Sequence, residues 1–251
     1  MSQVHMMKRN KLFVSVCLLL AATAAFPITS ADLRAKVAEA TREFKDITLS
    51  CKILRANLPE LRKIGKDFAK SYEFKSTNVS FKFPDKMMIE GKLGMLGVRL
   101  VMNRDKKVFS IPSLHYSTTE DIRNDPHKRQ TDFDIGIVSD SLWRDYEIQG
   151  VEGEKNSDNL VYKITFVREN ARRKKLVAWV DASSLKLLKV EKFESDGSII
   201  SRFIYANHQL VGGVWVPRRV DVYNEDGKLA GTTSYENIKV NTGLSDSAFK
   251  P

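Results

Sequence analysis

The chain has 251 residues, of which 42% are hydrophobic and 29% are charged. This composition is typical of a folded globular protein, and the length suits one large domain. The formal net charge is +10, and the chain contains only two cysteines and four histidines. These counts exclude a disulfide scaffold and a cysteine-rich metal module, and they argue against a histidine-based metal site.

The first 31 residues have the pattern of a secretory signal. Three basic residues precede an apolar stretch from Leu12 to Ala25, and small residues follow up to Ala31. The apolar stretch is shorter than the roughly 18 residues of a membrane helix. We therefore expect residues 1–31 to be a cleaved signal peptide, with an uncleaved anchor as the alternative, and residues 32–251 to form one exported domain in the periplasm.

The two cysteines carry different information. Cys17 lies inside the apolar stretch without the small-residue box of a lipoprotein signal, so we do not expect the protein to be a lipoprotein itself. Cys51 alternates with Leu49 and Ile53, which predicts a buried thiol on the apolar face of a strand. The alternative, a nucleophilic thiol, would need a nearby base or helix N-terminus, and the sequence indicates neither.

The first elements after the signal mix helix and strand. Leu33, Val37 and Phe44 recur at helical spacing and predict an amphipathic helix. The pattern changes to period two between Ile47 and Arg55, which predicts a strand, and Pro59 to Tyr72 returns to helical spacing.

Beyond Tyr72 the pattern is mostly that of β-strands. The stretch Ser117–Arg129 is polar and predicts a long loop, whereas Phe133–Tyr146 has near-helical spacing and predicts one or two short helices. Asp-Gly pairs stand between alternating runs and predict hairpins. The expected strands are 79–83, 87–92, 96–102, 108–111, 146–151, 160–168, 175–181, 187–195, 199–207, 214–223 and 228–240.

Short connections of this kind predict an antiparallel meander. One long antiparallel sheet must bury its apolar face, and the predicted helices are too few to cover ten flat strands. The sequence therefore predicts a mainly β (α+β) fold. A single curled antiparallel sheet of about ten or eleven strands would form an incomplete β-barrel with helices over its concave face.

The sequence contains no motif that indicates catalysis. It has no Gly-x-Ser-x-Gly, His-Glu-x-x-His or Gly-x-Gly-x-x-Gly pattern, and the histidines are too far apart for a local metal site. We expect neither an enzyme nor a metal or cofactor site, and export argues against a nucleic-acid partner.

Two apolar sets predict a binding cavity and its cover. One set shares a single parity along two strands and is predicted to line the cavity on the concave face, although Pro84 interrupts the pattern. The other belongs to the segment before Tyr146 and is predicted to form a lid. The cavity set is Val79, Phe81, Phe83, Met87 and Ile89, and the lid set is Phe133, Ile137, Leu142 and Trp143.

Charged residues form two further clusters. The aspartates of the lid segment lack the glycine and terminal glutamate of an EF-hand loop, so we do not expect them to bind calcium. We expect them to face water; a carboxylate pair is the alternative. They are Asp132, Asp134, Asp140 and Asp145. A basic cluster predicts a solvated hairpin tip or a docking patch for anionic lipid or an acidic partner. It consists of Arg172, Arg173, Lys174 and Lys175.

The order of several segments resembles the outer-membrane lipoprotein-sorting (LolA-like) family. Tyr146-Glu147-Ile148 precedes a strand, Trp215-Val216-Pro217 follows two glycines, and Tyr235-Glu236-Asn237-Ile238 runs into Leu244-Ser245-Asp246. Phe81-x-Phe83-Pro84-Asp85-Lys86 is similar to that family's strand before an aromatic-Pro or Arg-Pro step. The resemblance covers residues 32–251.

The resemblance implies a half-barrel that carries acyl chains of lipoproteins or other lipids, as a monomer, between an inner-membrane donor complex and an outer-membrane acceptor. In the best-known carrier an arginine on an inner strand holds the lid, but Phe83 precedes Pro84 here. The closing mechanism therefore has to differ. The rival hypothesis is an envelope-stress sensor or protein-binding scaffold with the same fold and a solid interior; a secreted enzyme is the third.

Overall fold

The computed structural model describes residues 28–125, 128–156, 159–167 and 175–250. Nearly all of the predicted signal peptide therefore lies outside the described residues. Within these ranges there are four α-helices: α1 (Ser30–Ala40), α2 (Leu58–Ile64), α3 (Lys66–Ser71) and α4 (Leu142–Asp145). Short 3-10 helices in the described residues include Pro112–Leu114, Asp132–Ile135 and Asp246–Phe249.

The part of the chain that the structure describes also contains fifteen strands. In chain order they are β1 (Asp46–Ala56), β2 (Ser76–Lys82), β3 (Lys86–Leu93), β4 (Leu96–Asn103), β5 (Lys106–Ile111), β6 (Tyr116–Asp121), β7 (Glu147–Asn156), β8 (Asn159–Val167), β9 (Lys175–Asp181), β10 (Leu187–Phe193), β11 (Ile199–Ala206), β12 (Gln209–Val211), β13 (Val214–Val216), β14 (Arg219–Asn224) and β15 (Leu229–Val240).

One antiparallel sheet of 13 strands dominates the fold, in the order β6-β5-β4-β3-β2-β1-β15-β14-β11-β10-β9-β8-β7. β12 and β13 form a separate hairpin. β6 and β7 are consecutive in sequence but occupy opposite edges of the sheet. The connection between them, residues 122–146, must therefore cross a face of the sheet, and it joins its two halves.

Two features of the predicted sheet need correction. It has 13 strands rather than ten or eleven, and it is open rather than strongly curled into a half-barrel. The stretch Tyr116–Asp121 is an edge strand, not a loop, and its exposed polar residues show no alternation that would predict it. The predicted strand 214–223 divides at Pro217, whose missing N–H cannot join a ladder.

The extent of curling follows from how the inner face is covered. Besides α1 and the 122–146 connection, α3 also lies against this face: Phe68 contacts Tyr72 and Phe203 at ring-centroid distances of 5.5 and 5.9 Å. Gly231 on β15 makes this approach close, because a Cβ there would lie 2.4 Å from the ring of Tyr72. Because these segments already shield the apolar face from water, closing the sheet into a barrel would bury little additional apolar area.

The main core lies between the inner face of the sheet and these covering segments. Leu33 and Val37 from α1 are fully buried in it, together with Phe166 and Ile164 from β8. The N-terminus of α1 is capped, because Thr29 and Asp32 exchange the two hydrogen bonds of a capping box.

The C-terminal segment crosses the sheet beside β1 and is held by one buried carboxylate. Asp46 accepts hydrogen bonds from the backbone N–H groups of Thr242, Gly243 and Leu244 at 2.6–3.2 Å. Burial opposes ionisation of Asp46, but these hydrogen bonds outweigh it and lower its pKa. Beyond this point Phe249 is fully buried near β3 and β4.

Candidate functional site

The candidate site is a cavity of about 330 Å³ between strands β1–β5 and β15, residues 71–74 and the start of the 122–146 connection. Its wall is mostly apolar, with a few polar groups among aliphatic and aromatic side chains. The lining residues are Cys51, Ile53, Ser71, Tyr72, Phe74, Thr77, Val79, Met87, Ile89, Gly91, Val98, Leu100, Phe109, Gln130, Asp134, Ile135, Thr233 and Tyr235.

Strand register explains why these side chains meet. Val79 lies opposite Ile89, and Ile89 lies opposite Leu100, so the three share one face of β2, β3 and β4. Because side chains alternate between faces, every second residue of each strand contributes to the same wall. Gly91 lets this wall come close to its neighbour, since a Cβ there would lie 2.8 Å from Thr77 Cγ2.

Three of the five residues predicted to line the cavity do so: Val79, Met87 and Ile89. Phe81 has the same parity but is buried in the core beyond the cavity, where its ring stacks on Phe44 at 6.2 Å. Phe83 lies past the end of β2 and is half-buried, so the interruption at Pro84 takes it away from the wall. The sequence could not show that the cavity occupies only part of the apolar face.

The polar groups of the cavity are neutral with one exception. Burial raises the pKa of the Cys51 thiol to about 12 and also raises the pKa values of Tyr72 and Tyr235. Asp134 is the exception: it is exposed, and its carboxylate accepts a hydrogen bond of 2.9 Å from the backbone N–H of Thr131. Among the described lining residues no lysine or arginine is found.

The four predicted lid residues are brought together, but they do not line the cavity. Phe133, Ile137 and Leu142 are buried and Trp143 is half-buried. The rings of Phe133 and Trp143 lie 6.1 and 6.2 Å from that of Phe166 on β8. These side chains therefore fasten the 122–146 connection to the far half of the sheet. Gln130, Asp134 and Ile135 are the residues of the connection that face the cavity.

The expectation that the aspartates of this segment face water is wrong for Asp132. Asp134 and Asp140 are exposed, but Asp132 is fully buried and accepts hydrogen bonds from the hydroxyls of Ser139 and Ser141. Burial raises its pKa to about 6, although those hydrogen bonds partly oppose the shift. The sequence contains part of the information that predicts this burial, because two serines that can donate hydrogen bonds to Asp132 follow within nine residues. Side-chain data for Asp145 lie outside the described residues.

Two further contacts fix the connection to the sheet. Gly136 has φ +89° and packs tightly, because a Cβ there would lie 2.5 Å from Pro217 and 2.9 Å from Tyr205. On the other side, Arg144 donates a hydrogen bond to the carbonyl oxygen of Pro84 and lies 3.7 Å from the carboxylate of Asp85. An arginine of the connection thus reaches the turn after Phe83.

One end of the sheet carries exposed apolar side chains close to the cavity wall. Leu93 is 44% exposed and Met95 is 99% exposed at the β3–β4 turn, which lies between the lining residues Gly91 and Val98. Leu114 and Tyr116 are also exposed at the β5–β6 turn, which lies at the same end because β4 pairs with both β3 and β5.

Most of the predicted basic patch belongs to residues that the structure does not describe. Arg172, Arg173 and Lys174 lie outside the described residues, and Lys175 begins β9 with its ammonium 5.9 Å from the centre of the Phe193 ring. No group of three or more histidine, cysteine, aspartate or glutamate residues in the described ranges is arranged to hold a metal ion. Likewise, none of the helices found there has the length and apolar character needed to cross a membrane.

Comparison with known proteins places the fold. A family model described as "Uncharacterized protein" matches residues 129–251. Three similar solved structures are a LolA superfamily protein from Nitrosomonas europaea (15% identity, 90% of this chain and 99% of that chain, TM-score 0.62), a domain described as an outer membrane lipoprotein-sorting protein from Vibrio parahaemolyticus (15%, 86% and 97%, 0.52) and a DUF1329 family protein from Desulfovibrio piger (14%, 87% and 95%, 0.51).

A search of curated protein sequences finds no match. The solved structures share little sequence with this chain but match its length and its arrangement of strands. The chain therefore has a LolA-like fold, as the order of its sequence segments predicts.

Proposed function

We propose that this protein is a soluble periplasmic carrier that binds acyl chains of lipids or lipoproteins in its cavity and shuttles them toward the outer membrane. The observation that carries the proposal is the apolar cavity of about 330 Å³ on the inner face of the sheet. A scaffold that only binds other proteins has no need of such a hollow. The LolA-like fold supports the same reading.

The energetics suit a carrier that takes lipid from a membrane and gives it back. An alkyl chain of about twelve carbons gains about 10 kcal/mol on leaving water, at about 0.8 kcal/mol per CH₂. A bilayer offers nearly the same gain, so the cavity has to match it only to within a few kcal/mol. Loading and release then depend on opening of the cavity rather than on its apolarity alone.

The 122–146 connection is the proposed lid. Gln130, Asp134 and Ile135 form its inner side. Phe133 and Trp143 anchor it to β8, and Ile137 and Leu142 are buried in the same core. Its contacts with the half of the sheet that carries β1–β6 include Arg144 to the Pro84 carbonyl and Arg129 to the Asp105 carboxylate, and the exposed Arg144 contact is one that can open at low cost. We propose that opening begins there, while the contacts to β8 stay in place.

The remaining proposals concern location and partners. The signal-like segment 1–31 supports export. The exposed Leu93, Met95, Leu114 and Tyr116 are suited to contact a membrane or an acceptor protein during transfer. An inner-membrane donor complex, an outer-membrane acceptor and a docking role for Arg172–Lys175 stay proposals of the same kind.

The proposal is tested by purifying the protein from the periplasm and identifying co-extracted lipids by mass spectrometry. A fluorescent acyl probe then measures binding in solution. Leu100→Trp should fill the cavity and weaken probe binding at least about tenfold, because the larger ring takes the volume that the chain needs. Leu210→Trp is the matched control, since Leu210 is 54% exposed on β12. Absence of both lipid and probe binding would overturn the carrier and favour the sensor or scaffold.

A further inference from the structure

We infer that the cavity takes one alkyl chain and favours a cationic head group, with the carboxylate of Asp134 as the group that recognises it. This inference rests on the proposed function and names the ligand class more closely. It has two parts, the size of the hollow and the charge of its wall.

The volume of the cavity fits a single chain. An apolar cavity of about 150 Å³ is known to hold one benzene molecule, which has six carbons. At about 330 Å³ this cavity has room for roughly twice as many carbons, in other words one chain of about twelve. Three acyl chains of that length, packed side by side, would need several times the volume.

The wall of the cavity carries a negative charge and no positive one. Of the described lining residues, Asp134 alone is charged at neutral pH, since burial raises the pKa values of Cys51 and the two lining tyrosines and keeps them neutral. Asp134 Oδ2 accepts the bond from Thr131 N, and the carboxylate is exposed where the connection borders the hollow.

Basic side chains on the same connection and beside the cavity have acidic partners or neighbours of their own. Arg129 on the same connection donates to the Asp105 carboxylate. Lys75 and Lys92 border a neighbouring depression that they share with Glu73 and Glu90. An anionic head group held at Asp134 would therefore meet a like charge, whereas an ammonium group could donate to the carboxylate.

Three probes of equal chain length test the inference: dodecylammonium, dodecanol and dodecanoate, each competing with the fluorescent acyl probe. The wild-type protein should bind dodecylammonium about fivefold more tightly than dodecanoate, the size expected for an exposed ion pair. The preference should fall as salt is added. Asp134→Asn should abolish the preference, and Asp134→Lys should reverse it. Asp140→Asn, at another exposed aspartate of the connection outside this lining, should leave it unchanged.

The outcomes separate this inference from the carrier proposal. If none of the three probes binds, the carrier proposal itself fails. If all three bind equally, or if Asp134→Asn keeps the preference, the carrier proposal survives and the head-group inference is overturned. Probes of the same head group with about eight to eighteen carbons test the size argument, and an affinity that keeps rising well beyond about twelve carbons would contradict it.

Discussion

The fully buried Asp132 makes a specific prediction about how stability depends on pH. Its pKa is raised from 3.8 to about 6, so the folded protein holds a proton that the unfolded chain releases. A group with this direction of shift stabilises the folded state most below about pH 4, and the stabilisation is lost as the pH rises to about 6. Each pKa unit corresponds to about 1.4 kcal/mol, which gives a total of about 3 kcal/mol.

Asp132→Asn keeps the shape of the side chain and removes the titration. Its amide can still accept a hydrogen bond from one serine hydroxyl and donate to the other, because both Ser139 and Ser141 lie within reach. The free energy of unfolding of the variant, minus that of the wild type, should therefore increase by about 3 kcal/mol between about pH 4 and pH 7.

Urea unfolding at several pH values, followed by tryptophan fluorescence, measures this difference. Carboxylates with lowered pKa values, such as Asp46 and Asp246, titrate in both proteins and cancel in the subtraction. Asp140→Asn is the control, since Asp140 is exposed on the same connection. A difference between variant and wild type that does not change with pH would refute the reasoning, because Asp132 would then not hold a proton in the folded state.

Three further predictions concern the lid, the thiol and the C-terminal segment. Trp143→Ala should lower the free energy of unfolding by about 3 kcal/mol and speed release of the acyl probe. Trp179→Ala on the outer face should leave the release rate unchanged, and equal release rates for the two variants would contradict the anchoring role of Trp143. Cys51 is half-buried in the cavity wall and its thiol pKa is raised to about 12, so it should react with a thiol reagent far more slowly in the folded protein than after unfolding; labelling at the rate of a free thiol would contradict the raised pKa. Asp46→Ala should cost about 3 kcal/mol near neutral pH, measured by urea unfolding, and progressively less as the pH falls below about 4, because the unfolded chain takes up the proton first and the folded carboxylate, whose pKa is lowered, follows; a constant loss would exclude an ionic role.

The sequence alone determined the class of the fold. Alternation of apolar and polar residues, with Asp-Gly turns between the runs, is a local signal that depends on near neighbours. It located most strands, the helix through Leu33 and Val37, and the inward parity of Val79, Met87 and Ile89. The order of segments along the chain was also enough to indicate the LolA-like fold that the structure has.

Only the tertiary structure decided which apolar residues surround a hollow and which fill the core. Phe81 and Phe133 have patterns as regular as those of the lining residues, but one stacks on Phe44 and the other packs against β8. Asp132 and Asp134 differ by two positions in sequence, yet one is fully buried and the other borders the cavity. For Phe133, Asp132 and Asp134 the difference arises because the 122–146 connection joins opposite edges of a 13-strand sheet, and the path that it takes between them depends on contacts between residues far apart in the chain. Phe81 likewise packs on Phe44, which is 37 residues away in the sequence.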